Sequence, residues 1–332
     1  MDSVLFAVNA VLPIVLIVAL GYMLKCYGML TKDLAKVLNK VVFFVLLPAN
    51  LYLNVYNISS LSEVSFGFVI YAVLATLVLF FLGIGYAYLV TKKDASRGAI
   101  MQAVFRSNYA LIGVPLATAL FGAVGAKSAA LLCAFIVPTY NILAVITLTV
   151  FEPLGEGQSR RRIDVKRILM SVLKNPLAVS VFAGLITLGI RAIFVNFNLH
   201  FRLSDITPVY DAAKMLSSAA TPVALLALGA GFEFAVLGRM KREIIIATAV
   251  RIVAVPALGL GVAFFAFDFT GGEYAALVAA FATPVAVSSV PMAQEMNADA
   301  ELAGQIVVWT TIFSGLTMFL FIFALKSLGA FA

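Results

Sequence analysis

Charged residues and histidine are scarce in this chain of 332 residues. Only 12% of the residues are charged, 63% are hydrophobic, and the mean hydropathy is +1.07. Soluble domains average roughly 25% charged and 45–50% apolar residues, so a soluble chain of this length could not bury so much apolar surface. The composition therefore predicts an integral membrane protein whose surroundings are a lipid bilayer.

Residue types that enzymes and metal sites require are also few. The single histidine, His200, lies in a polar connection, and the two cysteines, Cys26 and Cys133, lie in different apolar stretches. An intramembrane enzyme needs paired carboxylates, a nucleophile beside a base, or clustered metal ligands. We therefore expect no enzymatic activity, no metal site, no cofactor and no disulfide framework.

The net charge of +7 comes mostly from basic residues in short loops between apolar stretches. A basic chain sometimes binds nucleic acid, but this placement is typical of membrane orientation, so no nucleic-acid partner is expected. No Asp or Glu lies in the middle of an apolar stretch. Because proton-driven carriers often use a buried carboxylate, the choice of a coupling ion, Na⁺ or H⁺, stays open.

Ten apolar stretches are long enough to cross a bilayer as helices, at about twenty residues each. We predict spans at 5–27, 36–56, 64–91, 98–122, 127–151, 172–193, 209–232, 242–267, 273–296 and 301–328. If the N-terminus is outside, the cytoplasmic loops carry sixteen Lys and Arg residues and the outer segments five. This excess predicts a multi-pass protein of the cell membrane, with both termini outside and the loop 152–171 in the cytoplasm.

The loop 152–171 is the only long polar linker, and it divides the chain into halves of five spans, 1–151 and 172–332. Residues 103–117 (AVFRSNYALIGVPLA) and 279–293 (AAFATPVAVSSVPMA) correspond between the halves and share six residues at a shift of 176. An odd number of spans per half gives the halves opposite topology. We therefore predict an all-α fold of ten transmembrane helices in two inverted five-helix repeats, as in many secondary transporters.

Small and polar residues interrupt spans 4 and 9 just ahead of a shared proline. Proline lacks an amide proton and ends or kinks a helix, but it suits the start of a new one. We expect each span to form two half-helices joined by an extended break, the second starting near Pro115 or Pro291. Because the halves are inverted, the two breaks should meet and cross near the midplane. A plain kink is the alternative for either proline alone.

Broken helices free backbone groups that bind ions. Half-helix N-termini suit carboxylates, and half-helix C-termini suit cations. The candidate substrate-binding residues at the breaks are Asn108, Gly113, Val114, Pro115, Thr283, Ser288, Ser289, Val290 and Pro291. Asn50 and Thr221 join them because each flanks a proline, Pro48 or Pro222, that corresponds between spans 2 and 7.

Two arginines, Arg106 and Arg251, lie within predicted spans. A charge at membrane depth is costly and is by default a sign of function. Either guanidinium would balance the charge of an anionic substrate. The alternative is that the side chains pair with backbone carbonyls or extend to the membrane surface.

Several stretches resemble the auxin efflux carrier family. Residues 108–122 (NYALIGVPLATALFG) closely resemble its fourth span, and the resemblance covers essentially the whole chain. Similar stretches are LPIVLIVALGY (12–22), LLPANL (46–51), KNPLAVSVFAGL (174–185), PVALLALG (222–229) and TPVAVSSVPMAQEMNADAELA (283–303).

This resemblance implies a scaffold of spans 1, 2, 6 and 7 and a transport domain of spans 3–5 and 8–10 that moves past it like an elevator. It also implies a homodimer through the scaffold, with Asn108, Pro115 and Pro291 beside the substrate. The short central loop is similar to that of bacterial malate or malonate permeases. Span 3 has no counterpart of the Asp and Lys of the plant carriers, which disfavours auxin and plant-type ion coupling.

The leading hypothesis is therefore a secondary transporter of small organic anions, mono- or dicarboxylates, in the cytoplasmic (inner) membrane. Two alternatives stay open. One is a sodium- or proton-coupled carrier of the bile-acid symporter or sodium/proton antiporter type. The other is a membrane receptor that binds its ligand without moving it.

Overall fold

A computed structural model describes residues 2–57, 66–153, 165–196, 202–269 and 271–330. This part of the chain is mainly helical and contains no β-strand; two residues, Ser107 and Val285, form an isolated antiparallel bridge. An all-helical fold is expected in lipid, because a helix satisfies its backbone groups within one segment. His200 and the middle of the predicted cytoplasmic loop, 154–164, lie outside the described residues.

Fifteen α-helices make up the described parts of the chain. In the first half they are α1 (Asp2–Cys26), α2 (Lys32–Val41), α3 (Leu47–Tyr56), α4 (Gly67–Val90), α5 (Asp94–Phe105) and α6 (Val114–Val150). In the linker and second half they are α7 (Val165–Lys174), α8 (Pro176–Asn196), α9 (Thr207–Gly231), α10 (Phe234–Arg239), α11 (Lys241–Ala249), α12 (Val255–Ala266), α13 (Gly271–Phe281), α14 (Ser289–Glu295) and α15 (Ala300–Ser327).

Among the described residues, six helical segments are long and apolar enough to cross a membrane. They are Lys32–Tyr56, Gly67–Val90, Tyr109–Val150, Thr207–Gly231, Lys241–Ala266 and Ala300–Ser327. The 42-residue segment kinks at Phe121 and Gly122, where Gly122 has a φ of +56° that favours glycine. This kink lies at the predicted connection between spans 4 and 5. The full count of ten spans and the inverted repeat stay predictions.

Three π-helical turns each end two residues before a proline. They cover Val42–Leu46, Tyr109–Gly113 and Val250–Ala254, and they precede Pro48, Pro115 and Pro256. Proline has no amide proton for the usual i→i−4 bond, and its ring clashes with the carbonyl at that position. A wider turn, with bonds to the fifth residue back, accommodates the ring without ending the helix.

Contacts between connecting segments fall into two groups. One group joins the ends predicted to be cytoplasmic, through Lys32 with Glu301, Ser96 with Asp299, and Asn297 with Glu152. The other joins ends predicted to be outside, through Tyr210 with Asn57, Arg191 with Tyr56, and Ser204 with Tyr56. Helices that cross the membrane in alternating directions produce this grouping. Which of the two groups faces the cytoplasm stays a prediction.

Helices α1 and α9 approach closely at two glycines. A methyl group on Gly229 would collide with the backbone of Val18 and Tyr22, and one on Gly21 would collide with the backbone of Leu226. Small residues allow such close approach between membrane helices, where packing rather than the hydrophobic effect drives association.

We expect Gly229→Ala to destabilise the protein by about 1–3 kcal/mol, because the backbone that the added methyl group meets can move only if α1 and α9 separate. Gly231→Ala is the matched control: it lies two residues along α9 and has no atom within 4 Å of the added carbon. Thermal unfolding in detergent should show a lower Tm for Gly229→Ala alone. Equal Tm values for the two variants would contradict the close packing of α1 and α9.

Candidate functional site

The two helix breaks contact each other directly. In span 4, α5 ends at Phe105 and residues 106–108 are non-helical; in span 9, residues 282–288 separate α13 from α14. The amide of Asn108 donates to the carbonyl oxygen of Pro284 at 2.8 Å, beside the Ser107–Val285 bridge. Short antiparallel pairing therefore satisfies part of the backbone that the breaks expose.

The prolines take different positions in the two broken helices. In span 9, α14 begins at Ser289, close to the expected start near Pro291. In span 4, the helix resumes at Tyr109, six residues before Pro115, which corrects the expected start. The π-turn explains the difference, since the amide of Val114 bonds the carbonyl of Tyr109 and the helix passes through the proline.

A cavity of about 180 Å³ lies where the breaks face α3, α6 and α9. Five of the predicted site residues line it: Asn50, Arg106, Asn108, Thr221 and Ser288. The others lie outside this wall, namely Gly113, Val114, Pro115, Thr283, Ser289, Val290, Pro291 and Arg251. Among these, Pro115 is exposed and Gly113 packs against Ala279.

Arg106 is the charged residue of this wall. Its side chain is buried, and it donates to Oε1 of Gln102 (2.7 Å), Oδ1 of Asn141 (2.8 Å), Oγ of Ser288 (2.7 Å) and Sδ of Met292. These partners are all uncharged. They hold the guanidinium in place without neutralising it, so the cavity wall carries a positive charge.

Asn108 adds an unused hydrogen-bond donor to the wall. Its side chain is 7% exposed, and within the described residues its Nδ2 atom has no partner. An unsatisfied buried donor costs about 1–3 kcal/mol. An acceptor bound in the cavity, such as a carboxylate oxygen, would remove that penalty.

The α3 side of the cavity is already hydrogen-bonded. Nδ2 of Asn50 donates to Oγ of Ser217 on α9 at 3.0 Å, and Asn50 accepts from Nδ2 of Asn54 at 3.1 Å. Asn50 therefore ties α3 to α9. Thr221 lines the cavity one turn further along α9.

Sequence reasoning missed Gln102, Tyr140 and Met292, and it gave Asn141 no role at the site. Gln102 carried a usable signal, because a residue four positions before Arg106 lies on the same helical face. Tyr140 and Met292 carried none, since their proximity depends on how distant helices pack. The hydroxyl of Tyr140 accepts from Ser107 at 3.2 Å.

A second cavity, of about 140 Å³, shares α9 and the α2–α3 segment with the first but lies at a different level along them. Its lining includes Asn39, Gly231, Glu233 and Val290, where the first cavity has Asn50 and Thr221. The residues of the two breaks line the first cavity, and Val290 and Gln294 of α14 line the second.

Polar contacts join α2 to α14 and α15 around the second cavity. Nδ2 of Asn39 donates to Oε1 of Gln294 at 3.0 Å, and Lys32 pairs with Glu233 (2.8 Å) and Glu301 (3.1 Å). The hydrogen bond from Lys32 holds the pKa of the Glu233 carboxyl below its usual value. A depressed carboxyl pKa means that the pair is formed at neutral pH and is lost only as the pH falls through that pKa.

These features define a class of protein, the membrane transporters: apolar helices, two contacting helix breaks, and a cavity lined by those breaks. The chain belongs to the membrane transport protein family, the family of the auxin efflux carriers, whose sequence model matches residues 6–322. This match confirms the resemblance and the expectation that the protein is not an enzyme.

Two archaeal relatives extend this result. One is an uncharacterized transporter of Methanocaldococcus jannaschii, 26% identical over 313 residues, covering 92% of this chain and 94% of the relative. The other is an uncharacterized transporter of Methanothermobacter thermautotrophicus, 24% identical over 314 residues with the same coverage. Both are similar to this chain along nearly their whole length.

Proposed function

We propose that the protein is a secondary transporter of small organic anions, mono- or dicarboxylates, across the cell membrane. One observation carries the proposal: the buried guanidinium of Arg106, held by uncharged partners, lies on the wall of a cavity beside the free amide of Asn108. A carboxylate would supply both the missing charge and the missing acceptor.

The size of the charge interaction favours an anion over other substrates. Two opposite unit charges 4 Å apart attract by about 4 kcal/mol at the effective dielectric constant near 20 that suits protein sites. The same guanidinium repels a cation by a similar amount. A neutral solute would gain only the hydrogen bonds, each with a net value of about 0.5–1.5 kcal/mol.

Movement of the crossover past a scaffold would give this site access to both sides of the membrane. The proposed scaffold is α1, α2–α3, α8 and α9, and the proposed transport domain is α4–α6 and α11–α15. The first cavity lies on their boundary, with Asn50 and Thr221 from the scaffold and Arg106, Asn108 and Ser288 from the transport domain. The second cavity lies on the same boundary at another level.

Four further features belong to this proposal. They are the inverted five-helix repeat, a homodimer formed through the scaffold, both termini outside, and a cytoplasmic linker at 152–171. The match between residues 103–117 and 279–293 supports the repeat, and the two groups of contacting connections support the alternating crossings.

Uptake by proteoliposomes tests the proposed activity. Labelled malate, malonate and a monocarboxylate such as lactate are offered to vesicles with and without the protein, and unlabelled acids are used as competitors. We expect saturable uptake of at least one acid. No uptake and no binding of any organic anion would refute the proposal.

Asn108→Ala should lower the uptake of that acid about 10–100-fold, because a hydrogen bond to a charged group contributes about 1.5–3 kcal/mol. Asn57→Ala serves as the control, since Asn57 is exposed at the end of α3 and away from the cavity. Initial uptake rates and the dissociation constant of the acid are measured for both. Uptake by Asn108→Ala at the wild-type rate would remove Asn108 from the site.

A further inference from the structure

Arg251 is completely buried and does not line either cavity described above. It projects from the π-turn Val250–Ala254, between α11 and α12. Within the described residues its guanidinium donates to backbone carbonyls alone: Thr283 at 2.7 Å and 2.9 Å, Ala280 and Phe281 at 3.3 Å, and Val104 at 3.4 Å. The proposed function gives this side chain no role.

The carbonyls around Arg251 belong to the C-terminal ends of two half-helices and to Thr283, in the break that follows α13. Helix α13 ends at Phe281 and α5 ends at Phe105, so both helices leave their last carbonyls without partners inside the helix. Each helix end also carries a partial negative charge of roughly half a unit. Two such ends that meet form a site for a cation.

Two side-chain hydroxyls also donate to carbonyls at the end of α13. The carbonyl of Ala279 accepts from Oγ1 of Thr283 at 2.8 Å, and the carbonyl of Ala280 also accepts from the hydroxyl of Tyr140 at 3.3 Å. The guanidinium is planar and has five donors, so one side chain reaches carbonyls from both half-helices.

We infer that Arg251 is a resident cation of the crossover: its guanidinium occupies the position where half-helix C-termini would otherwise hold a metal ion. The inference also predicts that anion binding does not require Na⁺, and this one prediction rests on the proposed function. Arg106 then faces the substrate, and Arg251 holds together the two half-helix ends behind it. Arg251 is a positioning residue in this scheme.

Chemical rescue tests the inference directly. In Arg251→Ala, millimolar guanidinium or methylguanidinium should raise the Tm by several degrees, because the cation binds the folded state alone. Urea has nearly the same planar shape but no charge, and it should give no rescue. Wild-type protein and Arg242→Ala, which removes an exposed arginine, should respond to neither compound.

Cation replacement provides a second, independent measurement. The affinity of the wild-type protein for its organic anion should change less than two-fold when Na⁺ is replaced by N-methylglucamine. In Arg251→Ala the affinity should fall at least ten-fold, and guanidinium should restore most of it. Arg251→Lys, which keeps the charge but loses the planar fork, should lie between the two.

Three results would overturn the inference: a ten-fold loss of wild-type affinity without Na⁺, equal rescue by urea and guanidinium, or a folded Arg251→Ala that guanidinium does not change. If Arg251→Ala does not fold, Arg251→Lys and the wild-type sodium measurement decide. If the wild type binds no organic anion in any buffer, the proposed function fails, and the Tm rescue still tests Arg251 by itself.

Discussion

Arg106→Gln should lower organic-anion uptake at least 100-fold and should leave the Tm unchanged or higher. Removing the charge eliminates about 4 kcal/mol of attraction to a carboxylate 4 Å away, at an effective dielectric constant near 20. The wild-type guanidinium is a buried charge among uncharged partners, so its removal relieves a desolvation cost that offsets the hydrogen bonds lost to Gln102, Asn141 and Ser288. Lower activity with equal or greater stability is therefore the expected signature.

The control for this prediction is Arg242→Gln, which removes an exposed arginine on α11. Both variants lose one positive charge, so a change shared by both would reflect net charge alone. Arg106→Lys should retain part of the activity, because its ammonium keeps the charge but cannot contact Gln102, Asn141 and Ser288 together. Wild-type uptake by Arg106→Gln would mean that Arg106 has only a structural role.

The matching segments of the two halves predicted that two helix breaks would meet. The shared pattern at 103–117 and 279–293 indicated two breaks in corresponding positions, and the breaks are in contact through Ser107 and Val285. Arg106 and Asn108 stood out because polar and charged groups are costly in lipid. Both line the cavity.

The part that the sequence could not predict depends on distances between helices. The sequence predicts a second half-helix that starts near Pro115, but a π-turn lets the helix begin at Tyr109. No propensity rule distinguishes a proline that starts a helix from one that a wider turn absorbs. The carbonyl partners of Arg251 likewise come from α5, from α13 and from Thr283 in the break that follows α13, so they depend on how these segments pack.

A covalent link between α2 and α14 should abolish transport, if the crossover moves past the scaffold. Asn39 on α2 and Gln294 on α14 are hydrogen-bonded at 3.0 Å across the proposed boundary between the two domains. In a protein with Cys26 and Cys133 replaced by Ser and Ala, Asn39→Cys with Gln294→Cys would be bridged by a short bis-methanethiosulfonate, which joins the two thiols through reducible disulfides. We expect uptake to fall to the level of empty vesicles and to return after reduction.

The matched control is a link inside the proposed scaffold. The hydroxyls of Tyr52 on α3 and Thr187 on α8 are 3.1 Å apart, so Tyr52→Cys with Thr187→Cys accepts the same cross-linker without joining the two domains. This pair should retain its uptake when cross-linked.

The two outcomes separate the mechanisms. Transport that continues with Asn39→Cys and Gln294→Cys linked would exclude movement of α14 relative to α2, and substrate would then have to pass a fixed crossover. Loss of transport in both linked pairs would show that the scaffold itself must flex. A rigid crossover that carries Arg106 and its anion between the two cavities predicts one result. Transport is lost when the first pair is linked and is retained when the second pair is linked.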